Sequence, residues 1–204
     1  GITISDPSRI DVRGDISAGT DCSIDVNVIL EGNIKLGDNV SIGPNTLLKD
    51  VVIGDNTVIE AFSHLVSSKI GNDCNIGPYA RLREGSFIDD GAKIGNFVET
   101  KKTTIGKKSK ANHFSYLGDA EIGEDTNIGA GSITCNYDGK EKHQTKIGNK
   151  SFIGTNSSIV APVNIGSNAY IAAGSVITKD VPDDSLGVSR SKQNNIEDWS
   201  KKEK

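Results

Sequence analysis

This chain has no methionine, a single tryptophan and few rings of any kind: Phe, Tyr and Trp supply 5% of its 204 residues. A thick globular core draws on such side chains, so their scarcity points to a thin interior filled by Ile, Val and Leu. Cysteines number three, and an odd count argues against a disulfide framework. Cys74 falls at a small inward position of the repeat described below and Cys22 in a similar setting, so both read as buried, reduced thiols. No apolar run is long enough for a membrane span, and none resembles a signal peptide, which makes the cytosol the expected compartment. Neither sign of charge dominates: 23 basic against 27 acidic residues leave −4, which disfavours a general nucleic-acid binder. Three histidines, His64, His113 and His143, are too scattered for a zinc site.

What is abundant is a six-residue rhythm. An aliphatic residue followed by Gly recurs at Leu36-Gly37 and Ile42-Gly43, at Ile70-Gly71, Ile76-Gly77 and Ile94-Gly95, and at Ile147-Gly148, Ile153-Gly154 and Ile165-Gly166. A small residue stands four places after the aliphatic one: Thr46, Cys74, Ala80, Ser86, Ala92, Ser151, Ser157, Ala169 and Ser175. A period of six fits neither an α-helix nor a free strand. It is the mark of a parallel β-helix in which each hexad makes one flat side and three hexads one triangular coil. Residues about eighteen apart then lie on neighbouring coils, about 4.8 Å from each other. The 23 glycines are expected at corners that require positive φ.

The pattern predicts a single solenoid domain over residues 1–180. Residues 1 to about 15 read as entry material, and the coils run from there to about Lys179. Val181-Pro182-Asp183-Asp184 reads as an exit turn and 181–204 as a tail. Its last part, Gln193 to Lys204, is polar, includes Trp199, and forms a short helix or frays. The rhythm shortens to five residues from Leu48 to Ile53, Leu65 to Ile70, Thr100 to Ile105 and Leu117 to Ile122. All four slips fall on one flank, as shortened corners of geometric origin. Between Thr134 and Ile147 the chain instead inserts a loop, with Asp138-Gly139 marking a tight turn. Loops on rigid scaffolds are where function concentrates.

The ruler brings polar residues together. Arg83 and Lys101, eighteen apart, stack on adjacent coils, and two stacked cations call for an anion between them. Lys102, Lys107, Lys108 and Lys110 extend the basic run, which reads either as a solvated face or as part of a phosphate site. His113, Ala130, Thr155 and Ala173 form one ladder if the insertion occupies a single side, and the small residues beyond the imidazole make a shallow groove for an extended ligand. Glu99 shares a ladder with Tyr116, and Lys110 with Asn127. His113 stands apart from the other histidines by this company. His64 lacks it, and His143, on the inserted loop, is placed to reach a neighbouring molecule.

Four stretches carry a family likeness: Ile76-Gly77-Pro78-Tyr79-Ala80-Arg81-Leu82-Arg83, Gly95-Asn96-Phe97-Val98-Glu99-Thr100-Lys101-Lys102, His113-Phe114-Ser115-Tyr116-Leu117-Gly118-Asp119-Ala120, and Asn127 through Gly139. Ser189-Arg190 adds to them. The chain resembles, over essentially its whole length, the C-terminal acetyltransferase domain of the bacterial bifunctional N-acetylglucosamine-1-phosphate uridylyltransferase/glucosamine-1-phosphate acetyltransferase. The hexads alone are shared by many acyltransferases; the His113 and Asn136-Tyr137 segments are specific. The resemblance implies a left-handed β-helix, a homotrimer with sites between subunits, and acetyl-CoA-dependent N-acetylation of glucosamine-1-phosphate on the way to UDP-N-acetylglucosamine, a precursor of peptidoglycan and lipopolysaccharide. It implies His113 as general base, with Asn136 assisting. It assigns Arg83, Lys101, Tyr116, Asn127 and Lys142 to the sugar phosphate, and Ala130, Asn136, Tyr137, Thr155, Ala173 and Arg190 to acetyl-CoA. Thr155 stands where the compared member has Ser, adding a methyl at the thioester end. The partner that fixes the His113 tautomer is left open between Glu99 and a main-chain carbonyl. No metal is needed in this domain; magnesium belongs to a uridylyltransferase half without counterpart here, so the chain reads as a fragment of a longer enzyme. Two other readings are an acyltransferase with a different acceptor, disfavoured by the Arg83–Lys101 pair, and a non-catalytic solenoid, disfavoured by the varied outer face.

Overall fold

The computed structural model describes residues 1–201. The chain is a left-handed parallel β-helix of about ten turns. Register follows the ruler. Arg81 pairs with Glu99 eighteen residues on, Glu99 with Tyr116 seventeen on, and Asn127 with Phe152 after the insertion. The insertion therefore occupies one side of one coil and leaves the stacking undisturbed.

Every third residue or so points inward. Ile59, Ile76, Ile94 and Ile153 are fully buried, and all nine small residues named above are at most 2% exposed. Each buried aliphatic side chain contributes about 1.5–3 kcal/mol, and the interior is too narrow for rings. The aromatic residues therefore sit outside: Phe62, Tyr79 and Phe97 stack along one corner with centroids 4.9 and 5.3 Å apart, and Phe114 follows them, 70% exposed. These four have positive φ, as do Asp50, Ser67, Lys102 and Asp119 along a second corner. The four five-residue intervals all turn that second corner.

The glycine expectation needs correction. Only seven of the 23 glycines have positive φ, and most clock glycines do not. They are required instead by close approach. A Cβ on Gly37 would lie 2.1 Å from Asp55 Oδ1, because that oxygen accepts the Asp38 N–H at 2.8 Å; Asp55 and Asn72 repeat the bond one coil further on. A ladder of Asx oxygens thus runs from coil to coil past Gly19, Gly37, Gly54 and Gly71, closing the spacing that a methyl would prop open.

The ends also differ from expectation. Ile2–Ile4 pairs with Cys22–Ile24, and Ile10–Ala18 with Val28–Leu36, so stacking begins at the second residue. Ile2, Ile4 and Val12 are exposed at the open end, which is why the inward rhythm is faint there. At the far end Leu186–Gly187 pairs with Tyr170–Ile171, and Val176 N–H donates to Ser189 O, carrying the solenoid past residue 180. Beyond it the chain forms a 3-10 turn at Trp199–Lys201; residues 202–204 of the expected tail lie outside the described residues.

Candidate active site

Two sides of the prism meet at the Phe97–Phe114 corner, and the candidate residues divide between them. The first side carries the expected ladder. Lys110 pairs with Asn127 and Ala111 with Ile128, Ile128 pairs with Ile153, and Ile153 with Ile171. The same offsets put His113, Ala130, Thr155 and Ala173 in one column, with Asn127 three places before Ala130. The imidazole is exposed at the foot of this column. Its own carbonyl accepts from Ser115 Oγ at 3.0 Å, which fixes the backbone as it enters the corner. Among the described residues no side chain bonds the imidazole, so neither Glu99 nor a carbonyl is seen to set its tautomer. At the top of the column Arg190 Nη1 donates to Ala173 O at 2.7 Å, joining two of the residues expected on acetyl-CoA.

The second side is charged. Arg83 Nη1 meets Glu99 Oε1 at 2.9 Å, with Glu84 Oε2 3.8 Å from its Nε and Arg81 on the far oxygen of Glu99 at 4.0 Å. Arg83 therefore does not stand bare against Lys101 as its spacing suggested: a carboxylate already neutralises it. The cations that face each other are Lys101 and Lys142, brought together by the inserted loop. Lys101 is 8% exposed. Contact with Lys142, then burial, pulls its pKa below the ordinary lysine value, while the charges of Asp119 and Tyr116 push it back up. A cation held in that condition is stabilised by an incoming anion.

Asn136 lies beside them, 6% exposed, with its Nδ2 2.5 Å from Asp119 Oδ2 and 3.5 Å from Tyr116 Oη. Gly118 makes room for this arrangement. A Cβ there would lie 2.4 Å from Tyr116 Oη and 2.8 Å from Asn136 Nδ2. The loop is folded back on itself. Tyr137 and Lys142 form an antiparallel bridge, His143 N–H donates to Asn136 O at 2.8 Å, and the Asp138 carboxylate accepts from the backbone of Lys140 and Glu141 and contacts His143 Nε2 at 2.7 Å. Two backbone donors and the His143 ring hold the Asp138 carboxyl far below the ordinary carboxylate range. His143 is thus turned inward to brace the loop rather than outward to another molecule. Tyr137 is exposed, its hydroxyl donating to Gly139 O at 2.8 Å.

On the charged side, next to the corner, a cavity of about 210 Å³ is walled by Phe97, Phe114 and Ile133 with Glu99, Ser115 and Tyr116. His64 also has company unseen in the sequence: it pairs in register with Arg81, and burial, then the Arg81 charge, lowers its pKa. Asp119, Gly118 and Asp138 were missed as functional residues. Asp119 had one signal, its place in the fourth short corner, one residue after the position stacked on Lys101. Among the described residues no group of three or more His, Cys, Asp or Glu is arranged to hold a metal ion.

Residues 144–179 match the bacterial transferase hexapeptide family (six repeats). Over 98% of its length the chain is 55% identical to the Bifunctional protein GlmU of Alkalilimnicola ehrlichii and 56% identical to that of Cellvibrio japonicus. The chain belongs to the GlmU family. It spans 43–44% of the length of these GlmU relatives and corresponds to their C-terminal domain. A solved structure of perosamine N-acetyltransferase from Caulobacter crescentus, in complex with CoA and GDP-perosamine, superposes with a TM-score of 0.50 at 21% identity, covering 55% of this chain and 51% of that one. That likeness bears on the fold, which is the β-helix described above. Among the described residues no helix is long and apolar enough to cross a membrane.

Proposed function

We propose that this chain transfers the acetyl group of acetyl-CoA to the amine of glucosamine-1-phosphate, giving N-acetylglucosamine-1-phosphate and free CoA. The observation that carries this reading is the pair of facing ammoniums, Lys101 and Lys142, set across one corner from a ladder of small residues that starts at an exposed imidazole. The first suits a phosphate; the second suits an extended acyl carrier beside a base. The likeness, over 98% of this chain, to proteins named Bifunctional protein GlmU agrees with it.

In this scheme acetyl-CoA lies along Ala130, Thr155 and Ala173, with Arg190 toward its phosphates and Tyr137 beside it. The sugar phosphate occupies the charged side. Lys101 and Lys142 hold its phosphate, Tyr116 and Asn127 its hydroxyls, and Arg83 acts through its pairing with Glu99. His113 takes a proton from the amine as the nitrogen lone pair attacks the thioester carbonyl. The tetrahedral oxyanion collapses, the C–S bond breaks, and the sulfur leaves as thiolate and is protonated. A neutral imidazole, with one ring nitrogen free to accept, is suited to this role. In the same scheme the Ala130 backbone N–H, one rung above the base, donates to the oxyanion, a contribution of roughly 3 kcal/mol.

The two sides of one chain are separated by a corner, and an active site is completed when copies of the chain associate as a homotrimer. The test is CoA release with glucosamine-1-phosphate, run beside a molar-mass measurement. Acceptor-dependent CoA release by a species of three chains is the expected result; an absence of release with this acceptor, and release with an uncharged amine, would overturn the assignment of substrate.

A further inference from the structure

Asn136 poses a question that the fold answers. Its amide is nearly symmetric in shape, so packing cannot decide which end faces the substrate; only its partners can. Nδ2 has two partners, Asp119 Oδ2 at 2.5 Å and Tyr116 Oη at 3.5 Å. A carboxylate accepts and never donates, so it selects the NH2 end of the amide.

Asp119 is itself held. The Gly118 N–H donates to Thr134 Oγ1 at 2.8 Å and the Thr134 hydroxyl donates to Gly118 O at 2.9 Å, with Thr134 1% exposed. Asp119 has φ 48°, a left-handed conformation that Asp adopts more readily than most residues. Its charge also favours the Lys101 ammonium from beyond ion-pair distance, so one carboxylate bonds the amide and steadies the clamp electrostatically.

We propose that Asp119 is a positioning residue: by accepting from Nδ2 it turns the Asn136 amide so that Oδ1 is the end offered to the substrate. This rests on the acetyltransferase reading above and deepens it. An offered oxygen accepts from an amine N–H and orients its lone pair, whereas a flipped amide would set donor against donor. The acceptor amine, rather than the thioester carbonyl, is then the group that Asn136 recognises.

The decisive variant is Asp119→Asn, which preserves volume. With an amide at 119 either end can face Asn136, so the carboxylate's selection of Nδ2 is lost and the flipped amide becomes accessible. The expected result is a fall in kcat/KM for glucosamine-1-phosphate of about tenfold to a hundredfold, the range for a hydrogen bond to a charged group. The loss falls in the acceptor term, with KM for acetyl-CoA and thermal unfolding unchanged. In an Asn136→Ala background Asp119→Asn should cost little more. Wild-type kinetics in Asp119→Asn, or a loss that adds in full to that of Asn136→Ala, would refute the proposal.

A second readout needs no turnover. In protein labelled with 15N-asparagine, the side-chain amide signal missing from Asn136→Ala should be protected from exchange with water in the wild type and lose that protection in Asp119→Ala. An unchanged signal refutes the positioning role even if the substrate proves to be another amine. A changed signal with no acetylation of glucosamine-1-phosphate would leave the positioning role standing and sink the substrate assignment alone.

Discussion

The two sides that meet at the Phe97–Phe114 corner are built from the same hexads and do opposite things with them. The side of His113 offers almost nothing but backbone and small side chains. Ala130, Thr155 and Ala173 follow from the coil spacing alone, and the register among them is uninterrupted by the insertion. The neighbouring side gathers Arg83, Glu99, Lys101, Tyr116, Asp119, Asn136 and Lys142 from three successive levels and one loop into a network in which each group touches another. On the first side a repeat shapes a groove; on the second the same repeat is a frame for side chains that arrive from elsewhere. The acetyl transfer proposed above uses both: a smooth track for a long carrier and a charged seat for a small acceptor.

That contrast can be broken most sharply at the base. His113→Ala should lower kcat by about 10²–10⁴ with the KM of either substrate little changed, read by CoA release; normal turnover would remove His113 from its role and leave the first side a passive groove. On the charged side the expected sign is reversed. Lys101→Ala should raise the KM for glucosamine-1-phosphate about tenfold to a hundredfold with a smaller effect on kcat. Arg83→Ala should act in the same direction and less strongly, because Glu99 already engages its guanidinium; an exposed pair of this kind is worth at most about 1 kcal/mol.

A matched pair of glycine replacements separates groove from network. A Cβ on Gly129 would lie 2.6 Å from Ile153 O and 2.7 Å from Thr155 N, both backbone, so Gly129→Ala should wedge the coils apart and lower stability by about 1–3 kcal/mol. A Cβ on Gly118 meets side-chain ends, so Gly118→Ala should shift Tyr116 and Asn136 and cost activity more than stability. Thermal melts and kinetics on both variants decide it; a Gly118→Ala protein as unstable as Gly129→Ala would erase the distinction.

pH sharpens the comparison further. The Lys101 pKa lies below the ordinary lysine value, and only the ammonium binds phosphate. The KM for the sugar phosphate should therefore rise as pH climbs through that lowered value, earlier than an ordinary lysine would impose, while the KM for acetyl-CoA stays flat over the same interval. The smallest effect concerns His64. Its folded pKa is depressed, so the unfolded chain takes up the proton first, and folding stability should decline as pH falls through about 6.5. His64→Asn should flatten that decline in denaturant titrations at pH 5 and 7.

Legibility in the sequence tracked distance along the chain and the kind of contact. The coil, the inward positions and the His113 ladder were readable because each rests on a fixed period. Asp119 was not, since its partner Asn136 lies on an insertion whose path no period describes. The pairing of Arg83 with Glu99 was hidden for a related reason: stacking arithmetic places Arg83 over Lys101, but a long side chain reaches sideways to the carboxylate two places away. The clock glycines were misread because a sequence does not tell a residue that needs positive φ from one whose missing Cβ admits an oxygen of the next coil.

The amino-acid order alone determined the triangular coil, its pitch and the identity of the inward side chains, because burial of an aliphatic residue every sixth position has one compact solution. Only the folded molecule decided that Lys101 confronts Lys142, that Asn136 turns its nitrogen to Asp119, and that His143 braces its own loop. Those are choices among nearly equivalent side-chain partners, made by which groups the loop brings within about 3 Å of one another.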